Sequence, residues 1–417
     1  MSDDVVKYRG VFLFPKEVKS MPQKVAGLLY KETSGNTIIE VFDRPEGGNL
    51  LEEHHNIVWG EFGGEVFTFF DVHLINYSED TTITIHYSAK YAIKGEKLAS
   101  IQEKRFNGCQ IRLPNLTHWI CTPFSISCAK KEGNYVITDG DNSPNSILQT
   151  DLSGVTMQIL LNKSISHTPN SITYQKDCLI KCDTEEKQSI EFFLKRATEI
   201  SRFFSLAMLW KQDCYSLELF DNDNNRYPIW LSAEKTNLPR HYHLFSFQYA
   251  KGKIPLMLQK WIEYNNELQP MVNQLLYPLS FVDFDYIDFL RFAHALEGLQ
   301  TRFAGNIFDT KNSYKKRIKN LIDHLKNYKV VEECKIDACL VAKTRNKYTH
   351  LGKNDVEDDI PKEELYLLTQ KCKVLLASSI LLVLGLSEQE IKNCTHDSEL
   401  KNIVNYICVK ENREIRF

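Results

Sequence analysis

The spacing of apolar residues switches at Asp183-Thr184-Glu185-Glu186, and that switch constrains the fold of this 417-residue chain more than any other feature. Ahead of it, apolar residues alternate or come in short runs, as in Thr82-Ile83-Thr84-Ile85-His86-Tyr87, which is strand spacing. Beyond it, Ile190, Phe193, Leu194, Ala197, Ile200, Phe203, Phe204 and Ala207 recur at helical spacing. Asp183 or Thr184 is expected to cap this helix, with the carboxylates of Glu185 and Glu186 in its first turn.

The first part reads as many short strands. Val25–Tyr30 and Thr37–Phe42 flank the turn signal Ser34-Gly35-Asn36. Val11–Phe14, Val66–Phe70, Trp119–Cys121, Tyr135–Ile137 and Thr156–Leu161 are further strand candidates, a pattern that leaves sandwich and barrel both open. Ser216–Phe220 and Tyr227–Leu231 read as a hairpin around a loop of about five residues. After Pro255 the chain is helical. Helices are expected over 256–276, interrupted near Pro270, and over 283–303, 311–329, 332–351 and 361–386. The expected fold class is α+β: a β-rich region over 1–180, a mixed segment over 181–252, and an all-α bundle over 253–417.

The net charge of −3 excludes a protein that coats nucleic acid along its whole surface, so any such contact needs a local patch. Six lysines and one arginine against Asp323 make 311–329 that patch, with Lys315, Lys316, Arg317 and Lys319 at its centre. Eleven cysteines without regular spacing, behind an acidic start with no apolar core, fit reduced thiols in a cytoplasmic protein without a signal peptide. The most apolar run, Val374–Leu386, is shorter than the roughly 20 residues a bilayer needs, so a buried helix and no membrane partner are expected.

Cys178 and Cys182 lack a second pair at zinc spacing, and Glu52-Glu53-His54-His55 reads as an exposed loop. Thr150 stands where a calcium loop starting at Asp139 would need glutamate, so that stretch reads as a turn. No glycine-rich phosphate loop is present. The reading assigns no metal and no cofactor.

The remaining candidate is Lys343-Thr344-Arg345-Asn346-Lys347-Tyr348-Thr349-His350, near a helix end before Gly352. Arginine, an amide and an imidazole suit acid/base chemistry on a phosphodiester, but cations are also favoured at a helix C-terminus by its dipole. On a regular helix Arg345 and His350 stand about 140° apart, so convergence calls for a distorted helix end or a two-fold axis.

Arg345-Asn346 followed by His350 resembles the signature of HEPN-domain ribonucleases: an arginine, a polar residue, a few variable positions, then a histidine. Tyr8-Arg9-Gly10-Val11-Phe12-Leu13-Phe14-Pro15, with Val25–Leu29 after it, is similar to the opening of ApeA-type anti-phage proteins, which carry a C-terminal HEPN domain. The resemblance implies a metal-independent, homodimeric endoribonuclease of abortive infection. It would leave 2′,3′-cyclic phosphate ends and be restrained by the N-terminal region until a trigger, such as a phage-derived activator, acts. Arg345, His350 and Asn346 would be catalytic. Lys343, Lys347 and Tyr348 would contact RNA, tRNA among the options, together with the basic helix. Glu297 and His294 would support the site. The alternative is a non-catalytic RNA- or protein-binding module.

Overall fold

The computed structural model describes residues 7–14, 23–32, 35–43, 54–79, 83–120, 126–131, 134–139, 146–168, 171–231, 243–349 and 360–411. The chain divides into two compact units, Met1–Ser201 with Gln212–Pro239, and Arg202–Lys211 with Arg240–Phe417. The residues expected to form a separate mixed segment are shared between them.

The first unit is β-rich. In chain order it carries β1 (Lys7–Phe14), β2 (Gln23–Lys31), β3 (Thr37–Val41), β4 (His54–Phe62), β5 (Glu65–Glu79), β6 (Ile83–Lys94), β7 (Phe106–Arg112), α1 (Leu116–Ile120), β8 (Ile126–Lys131), β9 (Asn134–Asp139), β10 (Ser146–Asp151), β11 (Thr156–Thr168) and β12 (Ser171–Gln188). After α2 (Ile190–Met208) come β13 (Ser216–Phe220) and β14 (Arg226–Leu231). The antiparallel order β6-β3-β2-β1-β4-β5 closes on itself because β5 pairs back onto β6, giving a six-stranded barrel. Along one edge β6 pairs first with β3 and then, from Tyr91 to Ile93, with β14. From there the sheet runs on through β13, β7, β12, β11 and β10. β8 and β9 form a hairpin of their own.

The barrel core is aromatic. Gly10 and Gly27 face each other across β1 and β2; a Cβ at either would strike backbone oxygens and the rings of Phe62 or Phe12. Bare backbone there lets Phe12 and Phe62 meet edge to face at 5.2 Å between centroids.

Three neighbouring strands reverse their pleat at the same level. Core residues are Val58 and Phe62 on β4, Phe67, Phe69 and Val72 on β5, and Tyr87, Ala89 and Ala92 on β6. His55 joins them against Phe14 and Tyr87. The inward spacing is therefore three residues between His55 and Val58, between Phe69 and Val72, and between Ala89 and Ala92, where a regular strand has two. These six residues lie in two cross-strand rows. The two rows between them, Asn56, Asp71 and Lys90, then Ile57, Phe70 and Tyr91, line a cleft on the outer wall, which the first turns of α2 also line. Asp71, at φ 55°, is in the left-handed region and pairs in neither ladder.

Several expectations need correction. α2 starts at Ile190, with Ser189 Oγ accepting from Phe192 N at 3.2 Å, because β12 continues to Gln188 and pairs with β7 across an irregularity. Thr184 is part of that strand, its Oγ1 3.0 Å from Asn107 O. Trp119 and Ile120 lie on the short helix α1, not on a strand, and Cys121 falls outside the described residues. The run at 52–55 is not a loop at its histidines: β4 begins at His54, while Glu52 and Glu53 lie outside the described residues, as do Gly140 to Ser143. No disulfide joins the described cysteines.

The second unit is a helical bundle: α3 (Phe247–Ala250), α4 (Ile254–Leu275), α5 (Tyr286–Arg302), α6 (Tyr314–His324), α7 (Lys329–Cys334), α8 (Ala338–Thr349), α9 (Lys362–Val383), α10 (Glu388–Cys394) and α11 (Glu399–Lys410). Pro270 does not interrupt α4; the face of Trp261, Leu268, Met271, Val272 and Leu275 is buried and offsets the lost backbone bond. The single helix expected over 332–351 is two, separated by Lys335 at φ 45°. By length and composition α9 can cross a membrane, yet it is buried on every side from Val374 to Leu381, as the core helix of a bundle is.

Candidate active site

Three helices bring the motif arginine to one carboxylate. α5 is started firmly: Asp285 accepts from the backbone of Ile287 and Asp288, and Asp288 reaches back to Asp285 N. About three turns on, the same helix carries Glu297, which is half-buried. α6 starts at Ser313, whose Oγ accepts from Lys316 N at 3.4 Å. α8 starts at Asp337, whose Oδ1 accepts from Cys339 N at 2.7 Å.

Glu297 then accepts from both other helices. Arg317 of α6 donates to Oε1 at 2.8 Å, and Arg345 of α8 donates to Oε2 at 3.2 Å. Arg345 also donates to Asn346 Oδ1 at 3.2 Å and lies 5.2 Å from the ring centre of Tyr314. Tyr314 is anchored in turn by its hydroxyl on Ala293 O at 3.0 Å. Burial pushes its phenol pKa well up, with Cys372 and the Glu297 charge adding to this and Arg345 opposing it. Arg345 Nε is buried and has no hydrogen-bond partner among the described residues. Two guanidinium groups against one carboxylate leave the cluster with one positive charge in excess, a favourable place for a phosphate oxygen.

The other expected site residues divide. Asn346 and Lys343 are exposed, and Lys347 is half-buried with its Nζ 5.9 Å from the Tyr348 ring centre. Tyr348 is buried and stacks on Tyr286, centroids 5.2 Å apart and planes 15° from parallel, so a base would have to displace Tyr286 to reach it. On the basic helix, Lys315, Lys316 and Lys319 are exposed. Lys316 and Lys319 line a separate cleft with Asp309, Asn320, Asp323 and His324, whereas Arg317 faces Glu297. His294 is exposed, and among the described residues no hydrogen bond joins it to Glu297. His350 lies outside the described residues, directly after the end of α8. The roles of Tyr314 and Tyr286 were not anticipated; the only sequence signal was the place of Tyr314 one turn before Arg317.

A family model described as ApeA N-terminal domain 1 matches residues 7–261, and one described as Apea-like HEPN matches 287–390. No curated protein and no solved structure matches the chain. The first model covers more than half of the sequence, from β1 into α4, and the second covers the helices that carry Glu297, Arg317 and Arg345. The chain therefore belongs to the ApeA family, anti-phage proteins of the HEPN kind.

Proposed function

We propose that this protein is an endoribonuclease that cuts RNA without a metal ion in its active site and is held back by its N-terminal region until a phage-derived trigger acts. The observation that carries the reading is the pairing on Glu297 of Arg317 and of Arg345, the latter five residues ahead of His350. The excess positive charge of that cluster suits a scissile phosphate. In this reading neutral His350 takes the proton of the 2′-hydroxyl, or its protonated form gives one to the leaving 5′-oxygen. Arg345 offsets charge growing on the phosphate in the transition state, and Asn346 keeps the guanidinium turned towards it. The products are a 2′,3′-cyclic phosphate and a 5′-hydroxyl. Lys343 and Lys347 contact flanking phosphates; Lys315, Lys316 and Lys319 guide the strand, for which tRNA is a fitting substrate class.

A homodimer in the cytoplasm completes the proposal. Tyr277, Phe281, Val282 and Ile287 are exposed apolar residues close in sequence to Tyr286, the partner of Tyr348 on the motif helix. A second copy covering them would bring two motifs together.

The wild type, Arg345→Ala and His350→Ala are expressed with the trigger, and RNA ends bearing cyclic phosphates are sequenced. Each variant is expected to lose cleavage by about 10²-fold or more, and the wild type is expected to keep it in EDTA. Equal inactivity of all three sinks the ribonuclease reading. The same Glu297–Arg345 ion pair favours the second reading, a non-catalytic RNA- or protein-binding module, because it occupies the arginine. In that case Arg345→Ala weakens binding, and no cyclic phosphate ends form in any sample.

A further inference from the structure

The outer wall of the barrel holds a second convergence of side chains. His54 on β4 and His73 on β5 are direct cross-strand partners, with ring centroids 4.6 Å apart. Both Nε2 atoms point at one oxygen of Asp71: His54 lies 2.8 Å and His73 3.0 Å from Oδ1. The other oxygen, Oδ2, is 3.4 Å from Lys90 Nζ. Side chains on an exposed sheet face ordinarily spread into water. Here the left-handed backbone of Asp71 takes it out of both ladders, in the row where the pleat reverses, and its carboxylate meets the imidazoles. One ligand atom from each residue lies within 4.8 Å of the others.

We propose that His54 Nε2, His73 Nε2 and Asp71 Oδ1 form a binding site for a divalent transition metal of the zinc, nickel and copper class, with solvent completing the coordination shell. The donor set decides the class. Two imidazoles with one carboxylate suit these borderline ions, whereas calcium and magnesium take oxygen ligands. The geometry needs little change. Metal–ligand distances of about 2.1 Å set tetrahedral ligands about 3.4 Å apart, so each Nε2 needs to part from Asp71 Oδ1 by about 0.5 Å. Lys90 on Oδ2 leaves Oδ1 as a single donor and orients the carboxylate from behind, as hydrogen-bonded partners of metal ligands do. Burial acts to raise the Asp71 pKa, but hydrogen bonds from His54 and Lys90 outweigh it and hold the carboxyl ionised below its usual range. Of the adjacent histidines only His54 is a ligand, since His55 packs into the barrel core.

The site lies wholly in the first unit and stands independently of the ribonuclease reading. Its test uses the full-length chain and zinc chloride in calorimetry, with no nuclease readout. The wild type is expected to bind one equivalent more than the double variant His54→Ala/His73→Ala, and Asp71→Asn to bind that equivalent at least ~100-fold more weakly, at or beyond the 10–100-fold cost of losing an outer-shell partner. Equal stoichiometry in wild type and double variant overturns the proposal and leaves a hydrogen-bonded triad only. If the variants misfold, carbethoxylation of the wild type, mapped residue by residue, decides. Zinc is expected to protect His54 and His73 from modification, and unchanged rates at both overturn the proposal.

Discussion

Glu297 holds the guanidinium groups of Arg317 and Arg345, whose side chains are 24% and 20% exposed, whereas Asp71 holds two imidazoles that are 40% and 57% exposed. Both carboxylates gather nitrogen donors, two at Glu297 and three at Asp71, where Lys90 joins the imidazoles, and the donors and their surroundings differ. A guanidinium keeps its charge at every physiological pH, so the Glu297 cluster is a permanent fastener between three helices. An imidazole is also a metal ligand, and both of these are open to solvent, so the Asp71 cluster is conditional. The molecule keeps the durable arrangement where a motif helix must be positioned, and the exchangeable one on an exposed barrel wall.

The largest effect is expected at Glu297. Glu297→Ala leaves two half-buried guanidinium groups without their carboxylate. The expected loss is about 2 kcal/mol, below the 3–5 kcal/mol of a fully buried pair because water still reaches these groups. Urea unfolding of the full chain measures it, and Glu297→Gln is expected to recover part. A cost no larger than that of Asp71→Ala removes the distinction between the two clusters.

Tyr286→Ala asks whether the motif helix is pinned by more than Glu297. Losing the stack on Tyr348 is expected to cost about 1 kcal/mol in the same assay, and an unchanged midpoint assigns the whole task to the carboxylate.

Acid weakens both units, the helical one through Glu390. The carboxyl of Glu390 is held down to about 2 by Lys253 and by the backbone and hydroxyl of Ser387 at the start of α10. A depressed carboxyl contributes stability that is present above its unfolded pKa, near 4.5, and is lost as pH falls towards about 2. After solvent screening this is about 1 kcal/mol, and Glu390→Gln is expected to remove that part of the acid dependence. Asp71 has the same sign, with its contribution also lost on acidification. The smallest effect is therefore expected from Asp71→Asn in metal-free buffer at neutral pH, within about 0.5 kcal/mol. A larger loss makes the triad a structural fastener like Glu297.

The readable part of this molecule was local. Ser34-Gly35-Asn36 announced the β2–β3 hairpin, with Gly35 at φ 94°, and the apolar set from Ile190 to Ala207 announced α2. The start of α2 was misplaced because Asp183 and Thr184 suit a cap as well as they suit β12, and only pairing with β7 decides between them. Arg345 stands out in the sequence as part of a cationic helix end and takes its catalytic role from family resemblance, and Arg317 is only one cation among several. That Arg317 meets Glu297 depends on how α5 and α6 cross, which periodicity does not encode. His54, 17 residues before Asp71, meets it and His73 through strand register, so no short motif contains the three. The run Val66–Phe70 places apolar residues on both faces of β5, with Phe69 next to Phe70, and so hides the level at which the strand turns its other face inward.

That pleat reversal behaves like a dislocation line drawn across β4, β5 and β6. Straightening a single strand would carry every residue beyond the line to the opposite face, sending Val72 outward or bringing Phe70 inward, while its neighbours kept their phase. The defect can be moved or erased only in all three strands together, so sequences that share this barrel should change near positions 56, 71 and 90 as a set.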